Sequence, residues 1–128
     1  MSQSPIFVKT YDLLLWLIPR TTKFPREQRF VLARYIQDTT LRFQEYLIEA
    51  GTLPQASKRD KLAYLNRADV ELTKLRFHLR LCRDLELLNP GQHQHVSRMV
   101  DEIGRLLGGW FKALGSVSHK QNIPDLPQ

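Results

Sequence analysis

The sequence predicts an all-α protein, an antiparallel up-down four-helix bundle, and three observations carry that prediction. Apolar residues recur at three- and four-residue spacing in four separate stretches, prolines and glycines fall between those stretches, and no segment alternates as a strand would. At 128 residues the chain reads as one domain, long enough to bury roughly two-thirds of its unfolded surface without disulfides or a metal. The bundle is placed at residues 1–114 and a flexible C-terminal tail, poor in apolar residues and carrying two prolines, at 115–128.

The first helix is expected to open at Ser4 and Pro5, a capping hydroxyl followed by the residue best suited to the first helical position. Phe7, Tyr11, Leu14, Leu15 and Ile18 then keep helical spacing, and Pro19 is expected to end the helix. Leu13, Trp16 and Leu17 make it apolar on most sides, so it is expected to be sandwiched between neighbours. The connector over 19–25, with a proline at each end, reads as a rigid turn. A second helix is predicted over 26–50 from Phe30, Ala33, Ile36, Thr40, Phe43 and Leu47, with Gly51 and Pro54 to stop it. Gln37 and Gln44 fall inside that apolar arc, where a buried amide needs a hydrogen-bond partner; a second copy of the chain is one candidate. The opposite face, Arg34, Asp38, Arg42, Glu45 and Glu49, matches arginines with acids at helical spacing and is assigned to solvent.

After a polar loop over 51–59, a long third helix is predicted over 60–88 with two apolar arcs. Leu65, Ala68, Leu72, Leu75, Leu79 and Cys82 form an ordinary core face, while Val70, Phe77, Leu81 and Leu88 recur on nearly the opposite side. The second arc meets either the first helix inside the bundle or another subunit. One wide stripe is enough for a bundle helix, so an oligomer interface built from Val70, Phe77 and Leu81 together with Gln37 and Gln44 is the preferred reading, and a ring-like homo-oligomer is expected. Arg76, Arg80 and Arg83 lie at or beside the edge of the core arc. Arg80 can reach Asp84 and Arg83 can reach Glu86, whereas Arg76 has no acid three or four positions away. Asn89, Pro90 and Gly91 form a turn. The fourth helix then aligns Val96, Met99, Val100, Ile103, Leu106, Leu107, Trp110, Phe111 and Leu114 on one face, with Arg98, Arg105 and Lys112 at seven-residue intervals on the reverse. Ser97, Gly104 and Gly108 leave a bare flank that another backbone could approach closely.

Net charge is +6 with a pI near 9.8, and twelve of the nineteen cations are arginine, which favours an acidic partner such as nucleic acid, an anionic membrane surface or an acidic protein. The single cysteine, Cys82, cannot close an internal disulfide and reads as a small buried hydrophobe in a cytoplasmic protein. The apolar run from Leu13 to Ile18 is far short of the roughly 20 residues that span a bilayer, and neither a signal peptide nor membrane binding is expected. No catalytic residues, cofactor or metal are predicted. His93 and His95 sit at i, i+2 spacing in a turn region without a nearby cysteine or carboxylate motif, and His78 on a helix flank reads as a surface or interface residue. Phosphate-cradling glycine loops, nucleophile elbows and the Glu-x-x-His pairs of di-iron bundles are absent from the sequence.

The segments LRFHLR (Leu75 to Arg80) and EIGRLLGGWF (Glu102 to Phe111), with YDLLLWLIP near the start and FPREQRFVL in the first connector, resemble the accessory variability proteins (Avd) of diversity-generating retroelements over nearly the whole chain except the tail. The likeness extends more distantly to the four-helix-bundle proteins of ribosomal-RNA intervening sequences. It implies a protomer that assembles into a homopentameric barrel with a basic surface, and association with the element's reverse transcriptase and template RNA or cDNA. In that family the accessory protein is not the polymerase but supports mutagenic cDNA synthesis. Arg76, Arg80 and Arg105 match the family's basic motif; Arg83, Arg98 and Lys112 join the expected binding surface from helical geometry. The alternative is a bundle protein of the intervening-sequence type with a structural or unassigned role.

Overall fold

The computed structural model describes residues 4–54 and 57–115. Four helices carry the fold: α1 (Pro5–Thr22), α2 (Arg34–Thr52), α3 (Lys58–Asp84) and α4 (Pro90–Ala113), with no strand among the described residues. Contacts between helices run in opposite directions along each neighbouring pair. Gln37 meets Thr21 at one end of the α1–α2 seam and Gly51 meets Phe7 at the other. Tyr35 packs against His78 while Lys61 reaches the Ala50 carbonyl between α2 and α3. Trp16 packs on His95 while Phe7 packs on Trp110 between α1 and α4. The result is the expected antiparallel four-helix bundle, closed in the cycle α1–α2–α3–α4 around a core that includes Leu13, Leu17, Ile36, Phe43, Leu47, Leu65, Leu75, Leu79, Val96, Ile103, Leu107 and Phe111.

Several boundaries differ from the sequence expectation, each for a local reason. Pro19 lies inside α1 rather than ending it: it removes one amide donor near the C-terminus, and side chains of the final turn add hydrogen bonds of their own to carbonyls one turn back. Arg20 donates to the Trp16 carbonyl at 3.1 Å, and the hydroxyls of Thr21 and Thr22 donate to Leu17 and Ile18 at 2.8 and 2.7 Å. Ser4 occupies the N-cap without a side-chain cap; its carbonyl accepts instead from Phe7. The single helix expected over 26–50 is broken at its start into a helical turn, Arg26–Gln28, and a π-helical turn, Arg29–Ala33, before α2 proper, which runs through Gly51 to Thr52. The wider π-turn rotates the residues ahead of α2 out of phase. Phe30, expected in the core, is 76% exposed, while Ala33 is buried as expected and Leu32 joins it inside.

α3 stops at Asp84, four residues short of the expected end, because Glu86 adopts a left-handed conformation (φ 63°) and the amides of Glu86 and Leu87 fold back onto the carbonyls of Arg83 and Cys82. Leu88 therefore leaves the outer arc and turns into the core. α4 starts at Pro90 with a full capping box: Asn89 accepts from the Gln92 amide at 2.7 Å, and Gln92 accepts from the Asn89 amide at 2.9 Å. This cap draws His93 and His95 out of the predicted turn and into the helix. Gly115, at φ 78°, closes α4; the rest of the predicted tail lies outside the described residues.

Candidate functional site

Charges in this bundle fall into two sets, those consumed by neighbouring helices and those left facing outward. α3 buries Lys61, Asp69 and Glu71 among its apolar residues, which the two-arc reading of that helix did not anticipate. Glu71 is 5% exposed and receives Arg42 Nε from α2 at 2.7 Å and Lys74 at 3.0 Å. Arg42, expected on a solvent face, is thus a partner of α3. Burial is the largest single influence on Glu71 and pushes its carboxyl up, yet the hydrogen bonds and charges of Arg42 and Lys74 together outweigh it and hold the group below its ordinary value. Lys61 donates to the Ala50 carbonyl at 2.7 Å, tying the start of α3 to the last turns of α2. Cys82 is buried, and burial pushes its thiol up to about 12, in keeping with a packing role.

On the other flank of α3, the Arg76 side chain is 9% exposed and its Nη1 donates to Asp101 of α4. A Cβ on Gly104 would lie 2.8 Å from Arg76 Nη2, so the glycine makes the room that the guanidinium occupies. The bare flank expected to admit another backbone is therefore filled at Gly104 by an arginine of the same chain; at Gly108 nothing lies within 4 Å of the equivalent position. Above Arg76 the two helices leave a groove of about 260 Å³ lined by Arg83, His93, Gln94, Ser97 and Asp101. Arg83 pairs with Asp84 at 3.0 Å rather than with Glu86, because Glu86 has left the helix. His93 is held below its ordinary value by burial first and by Arg83 second, with Asp84 opposing. His93 lies 3.4 Å from Ser97 Oγ whereas His95 packs on Trp16 at 5.5 Å, so the two histidines address different helices.

The six basic residues expected at a binding surface are thus not equivalent. Arg98, Arg105 and Lys112 are exposed along the outer ridge of α4, one every two turns, and have no ion-pair partner among the described residues. Arg80 is half-exposed and only 4.0 Å from Asp84, and Arg83 sits at the groove mouth. Arg76 lies beneath them, turned towards Asp101. The expected oligomer residues divide similarly. Val70, Phe77 and Leu81 are 37%, 40% and 43% exposed on the outer side of α3, and Leu85, which the sequence reading passed over, continues the stripe. Gln37 needs no second copy: its amide donates to Thr21 Oγ1 at 2.8 Å. Gln44 lines a shallow apolar groove between α1 and α2 with Tyr11, Leu14, Leu15, Ile18 and Pro19. His78, expected at the surface or an interface, is half-buried against Tyr35 at 4.6 Å.

Among the described residues no helix is long and apolar enough to cross a membrane, and no three of His, Cys, Asp and Glu converge as a metal site would require. A family model described as bAvd-like matches residues 6–114. No curated protein matches the chain.

Proposed function

The chain belongs to the bAvd-like family, and from that premise we propose that it is the non-catalytic accessory subunit of a diversity-generating retroelement. It acts in the cytoplasm as a homo-oligomer, a pentamer on the family resemblance, that holds the element's reverse transcriptase and its template RNA or cDNA against a basic surface. The observation that carries this reading is the α4 ridge. Arg98, Arg105 and Lys112 are exposed at two-turn intervals with no acid paired to them among the described residues, while arginines that serve the fold, Arg42 and Arg76, have carboxylate partners.

Such a ridge suits a polyanion. Phosphates bound along it release condensed counterions, and repetition of the ridge around an oligomer multiplies the effect by avidity. Arg80 and Arg83 extend the surface towards α3. Arg76 contributes by holding α3 and α4 in register through Asp101, so its loss would disturb the surface without removing a direct contact. No step of cDNA synthesis is assigned to this chain; its work is capture and placement of the polymerase and its template.

The test is binding of a labelled RNA by the full chain, with the reverse transcriptase in a parallel capture assay, across a salt series. Binding that weakens steeply with salt, and weakens again on replacing Arg98, Arg105 and Lys112 with alanine, supports the proposal. An intact protein that retains neither RNA nor polymerase at low salt would favour the intervening-sequence type of bundle instead.

A further inference from the structure

The bundle leaves two apolar stripes open to solvent on different sides, and the sequence reading identified only the one on α3. The second lies between α1 and α2. Tyr11, Leu15 and Ile18 are 57%, 59% and 38% exposed, and Leu41 and Ile48 on α2 are 38% and 47% exposed. α1 and α2 run antiparallel with Gln37 beside Thr21, so helical spacing lines up Leu41 with Ile18 and Ile48 with Tyr11 across the seam. Between them is a groove of about 310 Å³ floored by Leu14 and Gln44. α1 was expected to be covered on most sides, and the bundle by itself leaves this side bare.

The borders of the two stripes differ in charge. Asp12, Glu45 and Glu49 flank the α1–α2 groove, exposed and without an ion pair among the described residues. Arg67 and Lys74 flank the α3 stripe, Arg67 lying over the Tyr64 ring and Lys74 beside the buried Glu71, while Arg80 and Asp84 offset one another further out. Joining either stripe to its own kind would set like charges against one another, whereas joining one to the other places acids against cations. An aromatic knob on one side and a groove on the other also fit this pairing, since buried aromatics dominate such contacts.

We infer that the α1–α2 groove of one protomer receives the α3 outer stripe of a second copy, with Phe77 seated between Leu15 and Ile18. The contact is heterologous. The first contact therefore leaves the stripe of one copy and the groove of the other free, so further copies can add until the contacts close, which is the condition for a ring rather than a dimer. This inference rests on the homo-oligomer proposed above and adds which surfaces meet.

Two exposed substitutions test it, Leu15→Asp in the groove and Phe77→Asp on the stripe, with mass read by light scattering on the full chain and helix content by circular dichroism. Each variant alone is expected to run at the 15.0 kDa protomer mass with unchanged helix content. An equimolar mixture is expected to give a particle of twice that mass and nothing larger, because each variant supplies the surface the other lacks. A Leu15→Asp protein that assembles like the parent overturns the inference while leaving the oligomer reading standing, as does a mixture that stays monomeric. A parent chain that is itself monomeric at micromolar concentration removes both.

Discussion

The α2–α3 seam and the outer ridge of α4 use the same side chains for opposite ends. In the seam, Arg42 and Lys74 converge on the buried carboxylate of Glu71, and Lys61 is spent on the carbonyl of Ala50. Along the ridge, Arg98, Arg105 and Lys112 face outward with no acid paired to them among the described residues. A buried carboxylate that lost its cations would carry an uncompensated charge, so the seam is architecture. An exposed cation without a partner adds little to folding and remains available to an anion from outside. Composition counts both sets alike in the net charge of +6; only their surroundings separate them.

If that division holds, substitutions on the ridge and in the seam should fail in different assays. The largest expected effect is on binding: replacing Arg98, Arg105 and Lys112 with alanine should make the logarithmic salt dependence of RNA affinity shallower by about 2 to 3 per protomer engaged. Chemical denaturation of the same variant should stay within about 0.5 kcal/mol of the parent. A ridge variant that loses stability but keeps its salt slope would collapse the comparison.

In the seam, Glu71→Ala is expected to cost about 2 kcal/mol, less than a fully enclosed pair because Arg42 and Lys74 retain contact with water. Its RNA affinity per folded molecule should be unchanged. The pH dependence follows from the same carboxyl. Its folded value lies below the ordinary 4.5, so the stability it adds is complete above about that pH and is lost as pH falls through the folded value. Melting temperature recorded downward from pH 6 should drop less steeply for Glu71→Gln than for the parent, and parallel curves would remove Glu71 from the account.

The flank of α4 that faces α3 offers a finer comparison between two glycines one turn apart. Gly104→Ala must move the far end of the Arg76 side chain, which offsets the gain in helix propensity, and should leave the protein about 1 kcal/mol less stable than Gly108→Ala does. Gly108→Ala meets open space and should be neutral or stabilising by up to about 1 kcal/mol, from helix propensity alone. Equal denaturation midpoints for the two variants would mean that Gly104 is not reserved for Arg76.

The smallest effect expected is at His93. Burial and Arg83 hold it below its ordinary 6.5, so folding loses stability as pH falls below that value while the unfolded chain takes up a proton that the folded chain resists. His93→Gln should abolish a small loss of stability between about pH 6.5 and 5. A chemical-shift titration of the ring checks the same point: a midpoint at or above 6.5 contradicts it.

Four helices, their order and most of the core were legible in the sequence because amphipathic periodicity belongs to a single helix. Leu65, Leu72, Leu75 and Leu79 on α3, and Val96, Val100, Ile103 and Leu107 on α4, are buried where the spacing puts them. The resemblance read from LRFHLR and EIGRLLGGWF likewise needed no fold, and the family match over residues 6–114 agrees with it. What a residue does between helices was not legible, since it depends on the rotation and register of two elements at once. Arg76 lacks an acid within one turn, so spacing along α3 could not choose between a bridge to an acid such as Asp101 and an outside anion; the antiparallel packing of α3 on α4 sets Asp101 beside it, 25 positions away in the chain. Gln37 looked like an amide in search of a second copy until α1 brought Thr21 to it. Phe30 was lost to a π-turn whose extra residue shifts the phase of everything before it. Spacing within a helix fixes which side chains share a face; the tertiary structure alone decides which charges on those faces are already answered.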